Sequence, residues 1–292
     1  MRFALMIEGQ EGVGWDDWLA LARATESGGF EALLRSDHYL PFDQGDGALD
    51  AWGTICALAA VTERIRLGTM VSPVTFRPAA ILAKLALTAD HVSGGRIDVG
   101  IGTGWREDEH TEFGFPFPPM PERFSELERQ LEEILRIWRE TGPPPVQQPR
   151  PRLVMGGSAK PRGARLAARH ADEYNVVYVS PEGAAERRAA LVEACEAEAR
   201  DPATLTFSVM TGFVVGADER ELRDRAAQLG ALEGKSADEL LEARRDHWLI
   251  GTPEQIAERL GDYERAGVER VAMQHLLHTD IDAVELLGRE LV

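Results

Sequence analysis

Three stretches of this chain concentrate residue types able to do chemistry. Ser36-Asp37-His38 closes an apolar run and sets two titratable groups side by side. Where a strand gives way to a loop their side chains diverge, one toward the interior of the fold and one toward the loop. A histidine, with an unperturbed pKa of about 6.5, can pass a proton or donate a hydrogen bond at working pH. The same residues also suit a helix cap by Asp37 beside a surface His38. The second stretch, RIDVGIGTGWREDEH from Arg96 to His110, carries Gly100, Gly102 and Gly104 directly after a strand-like run, with Thr103 and Trp105 alongside. Glycines so placed let a ligand approach the backbone closely. The third, MGGSAKPRGARLAARHADEYN from Met155 to Asn175, is the sharpest. Gly156-Gly157-Ser158 leads to Pro161, a residue suited to the first turn of a helix, and that helix start presents unpaired N–H groups to an anion. Lys160, Arg162 and Arg165 add positive charge, and in a chain of net charge -17 this clustering reads as a phosphate site. A solvated basic helix face is the competing reading.

Eight alternations of a short apolar or β-branched run with an amphipathic helical stretch must position these residues, the signature of a parallel α/β fold. The runs are RFALMI from Arg2, FEALLR from Phe30, IRLGTMV from Ile65, RIDVGI from Arg96, RLVM from Arg152, YNVVYV from Tyr174, TFSVM from Thr206 and RVAMQ from Arg270. Between them Trp52, Ile55, Ala59 and Thr62 share one helical face, as do Phe124, Leu127, Leu131, Ile134 and Trp138. Gly28-Gly29 and Gly94-Gly95 stand where helices end before strands. Eight such units in 292 residues fit a (β/α)8 TIM barrel that occupies residues 1–292 as a single domain. TGPPPVQQPRPR from Thr141 is Pro-rich but short, hence a loop within that domain. The seventh connection is long and holds a second helix from Pro253 to Ala266, so extra helices are expected between strands seven and eight, near the barrel mouth.

In such a barrel the ligand site lies where strands exit at their C-terminal ends. The exits here are Glu8, Ser36 to His38, Met70-Val71-Ser72, Gly102 to Trp105, Gly156 to Ser158, Ser180, Thr211 and Gln274-His275. Loops favour such polar and glycine residues in any case, so the pattern supports a site without proving one. Glu8, Trp105, Gln274 and His275 are the candidates for a substrate pocket. Phe113, Phe115 and Phe117 either line it or pack under the loop after the fourth strand.

Composition narrows the partners. The chain is 44% hydrophobic and 28% charged, as in an ordinary globular enzyme. No apolar run reaches the ~18 residues of a membrane span, and the start MRFALMIEGQEG lacks a signal peptide's features, so a cytoplasmic location is expected. The negative charge repels nucleic acid and anionic membranes, and a small-molecule substrate is the expected partner. Cys56 and Cys195 lie far apart with no Cys-x-x-Cys spacing, so neither a disulfide framework nor a metal site is expected. The glycine run would also suit a dinucleotide-binding or methyl-donor-binding fold, but a doubly wound fold wants a further strand ending in an acidic residue roughly 20 residues on. This chain runs instead into EFGFPFPPMPERF and a long helix.

Taken together, FEALLRSDHY, RIRLGTMVSPVTFRP, SGGRIDVGIGTGWREDEHTEFGFPFP and GGSAKPRGARLAARHADEYN resemble the luciferase-like monooxygenase superfamily, in particular its branch dependent on the deazaflavin coenzyme F420. The resemblance runs over nearly the whole chain. It implies a TIM-type barrel with the coenzyme ring at the C-terminal mouth, Asp37 and His38 facing that ring as the catalytic pair. It also implies a bulge at Thr69, Met70 and Val71 with a nonprolyl cis peptide at Met70-Val71. Gly102, Thr103 and Gly104 would approach the ring or its ribityl chain, and Gly156 and Gly157 through Ser158, Arg162 and Arg165 would hold the phosphate. One departure matters: some deazaflavin sugar-phosphate dehydrogenases of the superfamily carry a catalytic Glu directly after the Gly-Thr-Gly turn, where this chain has Trp105. The implied activity is hydride transfer between the deazaflavin C5 and a small organic substrate; the alternative is a reduced-FMN monooxygenase of the alkanesulfonate or luciferase type. The resemblance also favours a homodimer.

Overall fold

Each of the eight apolar runs forms a strand, and all the strand pairings are parallel. The computed structural model describes residues 1–42 and 47–292. In chain order the first half contains β1 (Arg2–Ile7), α1 (Trp15–Ser27), β2 (Ala32–Arg35), α2 (Ala51–Ala59), β3 (Arg66–Thr69), β4 (Ser72–Pro73), α3 (Ala79–Ser93), β5 (Ile97–Gly102), α4 (Glu107–Phe113) and α5 (Met120–Glu140). The second contains β6 (Arg152–Gly156), α6 (Pro161–His170), β7 (Glu173–Val177), α7 (Pro181–Ala197), β8 (Thr206–Val215), α8 (Glu219–Leu232), α9 (Ala237–Arg244), β9 (Leu249–Gly251), α10 (Pro253–Arg265), β10 (Arg270–His275) and α11 (Ile281–Leu291). Strand β10 pairs with both β1 and β8, Arg270 lying opposite Arg2 on one side and Ser208 on the other, and this closes the barrel. No helix among the described residues is long and apolar enough to cross a membrane.

Alternation along the strands sorts side chains into two layers. Leu5, Ile7, Leu33, Val99, Ile101 and Val271 point outward into the main core, where Trp18, Trp52, Leu131 and Ile134 of the surrounding helices meet them. Ala4, Met6, Ala32, Leu34, Val154 and Ala272 form a separate cluster inside the barrel. The face expected on α5 is the one that packs: Leu127, Leu131, Ile134 and Trp138 are buried, and the Trp138 indole donates to Ala83 O at 3.0 Å. The Pro-rich stretch after α5 is a loop fastened by the Asp90 carboxylate, which accepts from the backbone N–H of Val146 and Gln147. Cys56 and Cys195 are both free thiols.

The bottom of the barrel is plugged by charge. Arg270 is fully buried, with Asp98 at 2.8 Å and Glu173 at 2.9 Å, and Arg66 and Arg152 close on the same carboxylates at 2.6 and 2.7 Å. Burial alone would raise the Asp98 carboxyl, but Arg270, Arg66 and Arg152 outweigh it and hold it well below the usual carboxylate range.

Three features depart from the expected elements. Strand β8 extends to Val215, twice the length of TFSVM, because Gly212 does not end it: a Cβ there would meet the Trp248 ring at 2.4 Å, so the glycine makes room for a tryptophan packed on the strand. Its far half pairs with β9, a three-residue strand too short to show periodicity. The connection from β8 to β10 therefore holds α8, α9 and α10 together with β9. Helix α4 begins three residues after the Gly-Thr-Gly turn and carries three acidic residues in its first turn, where they suit the helix dipole.

Candidate active site

At the C-terminal ends of the strands lies a cavity of about 760 Å³, within the range of small-molecule sites. Its inner wall is apolar: Met6, Met70, Val71 and Met210 meet the glycine backbone of Gly102, Gly104, Gly156 and Gly157. The peptide between Met70 and Val71 is cis. The Val71 side chain it presents explains much of the glycine pattern. A Cβ on Gly102 would meet Val71 at 2.8 Å, one on Gly156 would meet it at 3.2 Å, and one on Gly100 would strike Thr69 O at 1.9 Å. These glycines are thus needed by the bulge before any ligand arrives.

His38 lines the cavity, and its partner is a residue the exit pattern did not single out. Glu109 of α4, fully buried, places one carboxylate oxygen 2.7 Å from His38 Nδ1. The other accepts from the backbone N–H of Tyr39 and Leu40. Burial pushes the Glu109 carboxyl up, but the hydrogen bond and charge of His38, with the two backbone donors, bring it below its ordinary value. An ionised Glu109 requires the proton on Nδ1, which leaves Nε2 as the other ring nitrogen. Phe42 and Trp105 both stand edge-on to the imidazole, at 5.6 and 5.8 Å, and stack on each other at 5.8 Å. The Arg106 guanidinium lies over Phe42 at 4.2 Å. The carboxylate absent directly after the Gly-Thr-Gly turn is therefore present one helical turn later, beneath His38.

Several expected site residues lie elsewhere. Asp37 is fully buried behind the wall, bound to Arg77 at 2.6 Å and accepting from Ser72 Oγ at 2.5 Å. Arg77 continues to Asp50 and the Tyr39 hydroxyl, so Asp37 braces the loop that carries His38 and does not face the cavity. Thr69 is buried and donates to Gly100 O. His275 is also buried, with Nε2 3.0 Å from Asp280 O and its ring stacked on Phe213 at 5.0 Å; burial pushes its pKa down to about 4. Its neighbour Gln274 lines the cavity instead, as do Glu8 and Trp105. Tyr178 donates to Gln274, Gln274 donates to Glu8, and Gln10 donates to the second Glu8 oxygen at 2.8 Å. This chain of hydrogen bonds joins the exits of β7, β10 and β1.

The third stretch contributes backbone more than charge. Gly156 and Gly157 line the cavity, whereas Ser158 is exposed outside its lining. Arg162 turns away against α5, donating to Pro121 O at 2.9 Å and Ser125 Oγ at 3.0 Å, and Arg165 is exposed, also outside the lining. A Cβ on Gly157 would meet the Tyr174 hydroxyl at 2.6 Å, the same hydroxyl that accepts from Ala159 N. The aromatics after the fourth barrel strand pack beneath the loop: Phe115 lies 4.7 Å from Phe76 and Phe117 lies 4.6 Å from His110.

The outer wall comes from the insertion and from the segment after β10, which strand-exit reasoning did not reach. Leu229, Leu232 and Glu233 of the α8 end, Arg244 of α9, and Leu276 to Thr279 complete the cavity. Arg244 binds Glu233 at 3.2 Å and lies over Trp248 at 5.0 Å.

Comparison with known proteins agrees with this architecture. The family model for luciferase-like monooxygenase matches residues 1–270. An FMNH2-dependent dimethylsulfone monooxygenase of Pseudomonas putida is 29% identical over 318 residues, covering 93% of this chain and 85% of that protein. An F420-dependent glucose-6-phosphate dehydrogenase of Amycolatopsis mediterranei is 32% identical over 130 residues, covering 44% of this chain and 39% of that protein. A solved F420-dependent secondary alcohol dehydrogenase in complex with an F420-acetone adduct superposes with a TM-score of 0.81 over 99% of this chain and 98% of its own, at 16% identity, a likeness of fold. With a family model spanning most of its length and a closed parallel barrel, the chain belongs to the luciferase-like monooxygenase family of oxidoreductases.

Proposed function

We propose that this protein is a coenzyme F420-dependent oxidoreductase that moves a hydride between the deazaflavin C5 and a small organic substrate. The observation that carries this reading is the cavity itself, whose apolar wall of Met6, Met70, Val71 and Met210 adjoins a lining His38 that is backed by the buried Glu109. The residues fit such a group: Met6, Met70, Val71 and Met210 would give a planar ring an apolar seat, and the lining glycines would leave the backbone open beside it. When bound, the coenzyme supplies the hydride chemistry. The chain supplies orientation, exclusion of water, and a proton acceptor at His38 Nε2 that would take the hydroxyl proton as a substrate is oxidised and return it in the reverse direction, with Glu109 fixing the imidazole tautomer through Nδ1. For the phosphate we propose the free N–H groups at the start of α6, where Pro161 opens the helix and no side chain caps it; Gly157, whose N–H is donated to Asn175 O, would give the phosphate room and no donor.

The test is a spectral titration with F420 and with FMN. At least tenfold tighter binding of the deazaflavin is expected, and His38→Gln should keep that binding while slowing hydride transfer by about 10²- to 10⁴-fold. The second reading, an FMNH2-dependent monooxygenase, draws support from the relative that matches over nearly the full chain. Tighter FMN binding with substrate-dependent oxygen uptake would install it.

The homodimer belongs to the same proposal. Ile81 and Val92, three turns apart on α3, are 53% and 46% exposed, and Val61 at the end of α2 is 57% exposed. Large apolar side chains grouped on neighbouring helices fit a covered face. Sedimentation should give twice the 32.2 kDa of the chain, and Ile81→Glu should halve it.

A further inference from the structure

We infer that the outer half of the cavity selects a largely apolar substrate with one carbonyl or hydroxyl oxygen, and rejects phosphorylated, sulfonated and carboxylated ones. This rests on the coenzyme reading above, because it assigns the inner half to the ring. Recognition of an anionic group needs guanidinium or ammonium donors left free to reach it. Among the described residues lining the cavity only one, Arg244, is an arginine or lysine, and it is bound to Glu233 and stacked on Trp248. Three carboxylates line the same cavity: Glu8, Glu11 and Glu233. The lining His278 is pushed down by burial, which disfavours its cationic form. The stretch 43–46, DQGD, contains neither Lys nor Arg.

Other arginines around the mouth are committed as well. Arg77 is held by Asp37 and Asp50, and Arg106 by Asp108 and the carbonyls of Leu40 and Pro41. Bringing a dianion in would set it against carboxylates with no counter-charge released to meet it. Glu233 meets the cations Arg244 and Lys235; Glu8 accepts from the neutral Gln274 and Gln10 amides and Glu11 from the Phe42 N–H, so Glu8 and Glu11 keep their negative charge against an incoming anion. What the outer wall offers freely is apolar surface: Leu232 and Trp105 are 41% and 63% exposed, and Leu229, Leu276 and Leu277 adjoin them. His38 and Gln274 provide the polar contacts at the inner edge of that surface.

The experiment uses three probes of one shape: cyclohexanone, cyclohexanecarboxylate and cyclohexanesulfonate. Binding is read first on coenzyme-loaded protein, from the spectrum of the bound coenzyme, after its own saturation has been established. It is read again on the coenzyme-free protein through tryptophan fluorescence, compared with Trp105→Phe. Cyclohexanone should bind at least tenfold more tightly than either anionic probe. Glu233→Gln should then raise carboxylate affinity about tenfold by releasing Arg244, with no matching gain for cyclohexanone. Equal or tighter binding of an anionic probe, no binding of cyclohexanone, or no gain in the variant overturns the inference. Failure of the coenzyme to bind instead strikes at the earlier proposal, while the fluorescence arm still reads charge selectivity.

Discussion

At the closed end of the barrel Arg270 is fully buried among Asp98, Glu173 and Glu31, whereas at the open end the lining Arg244 is only partly buried and the large side chains left exposed are apolar. Five of the large hydrophobics that are exposed among the described residues, Phe42, Trp105, Val177, Tyr178 and Leu232, line the one cavity. Grouped exposure of this kind costs solvation and persists where a ligand covers it. The closed end shows the reverse economy: charges are taken out of water and repaid by close pairing, which holds only while every partner is present. One end spends its interactions on itself, and the other withholds them.

The largest expected effect comes from breaking the closed end. Arg270→Met leaves Asp98 and Glu173 buried with less counter-charge, and removal of one partner from such a cluster typically costs about 3–5 kcal/mol. Urea unfolding should show that loss. Trp105→Ala at the open end should shift the same transition by no more than about 0.5 kcal/mol, as for an exposed residue, while weakening substrate-probe binding. Equal destabilisation by the two changes would erase the contrast.

A second effect lies between the two ends in size. His275 is buried and its pKa is pushed down to about 4, against about 6.5 when unfolded. The unfolded chain therefore takes up a proton before the folded one does. The stability that a neutral His275 contributes is fully present above pH 6.5 and is lost as the pH falls from about 6.5 to about 4, a swing on the order of 3 kcal/mol. Comparing wild type with His275→Gln by denaturant unfolding at pH 7.5, 6, 5 and 4.5 should show the variant's deficit shrinking on acidification. A constant difference across that range would mean that His275 titrates normally.

The same two histidine-bearing exits explain how far sequence alone reached. Strand-exit logic correctly finds where the cavity is, because each apolar run ends at the mouth. It cannot choose between neighbours, since successive side chains alternate: of Asp37 and His38 only His38 lines the cavity, and of Gln274 and His275 only Gln274 does. Glu109 was hidden because it sits on a helix after the exit, where an acidic first turn looks like ordinary capping chemistry. Its position, four residues after Trp105 in the sequence, does not by itself show that it reaches back to His38. Leu229, Leu232 and Arg244 belong to the insertion, and only tertiary packing brings them over the barrel.

The smallest expected effect sharpens the comparison most, because it separates charge from backbone at the open end. Read from sequence, Arg162 and Arg165 hold a phosphate, and removing the contacting arginine should weaken coenzyme binding by about one to two powers of ten, since a charge-assisted hydrogen bond contributes roughly 1.5 to 3 kcal/mol. In the folded protein Arg162 donates to Pro121 O and Ser125 Oγ, lies 3.6 Å from Glu128 and covers the Phe124 ring at 5.4 Å. Its guanidinium fastens α6 to α5. The N–H groups at the helix start remain whatever side chain stands at 162. Arg162→Ala is therefore expected to change coenzyme affinity by less than about threefold and to cost about 0.5–1 kcal/mol of stability through the lost packing and partly exposed contacts. Gly157→Val cannot serve as the matching probe of phosphate space, because its Cβ would first displace the Tyr174 hydroxyl. Lys160→Pro read against Lys160→Gln is the better partner: both remove the ammonium, only the proline also removes the Lys160 N–H, and both leave the basic residues of α6 in place. A tenfold loss in Arg162→Ala with Lys160→Pro unaffected would return the phosphate to the arginine and show that the open end, too, depends on a paired charge.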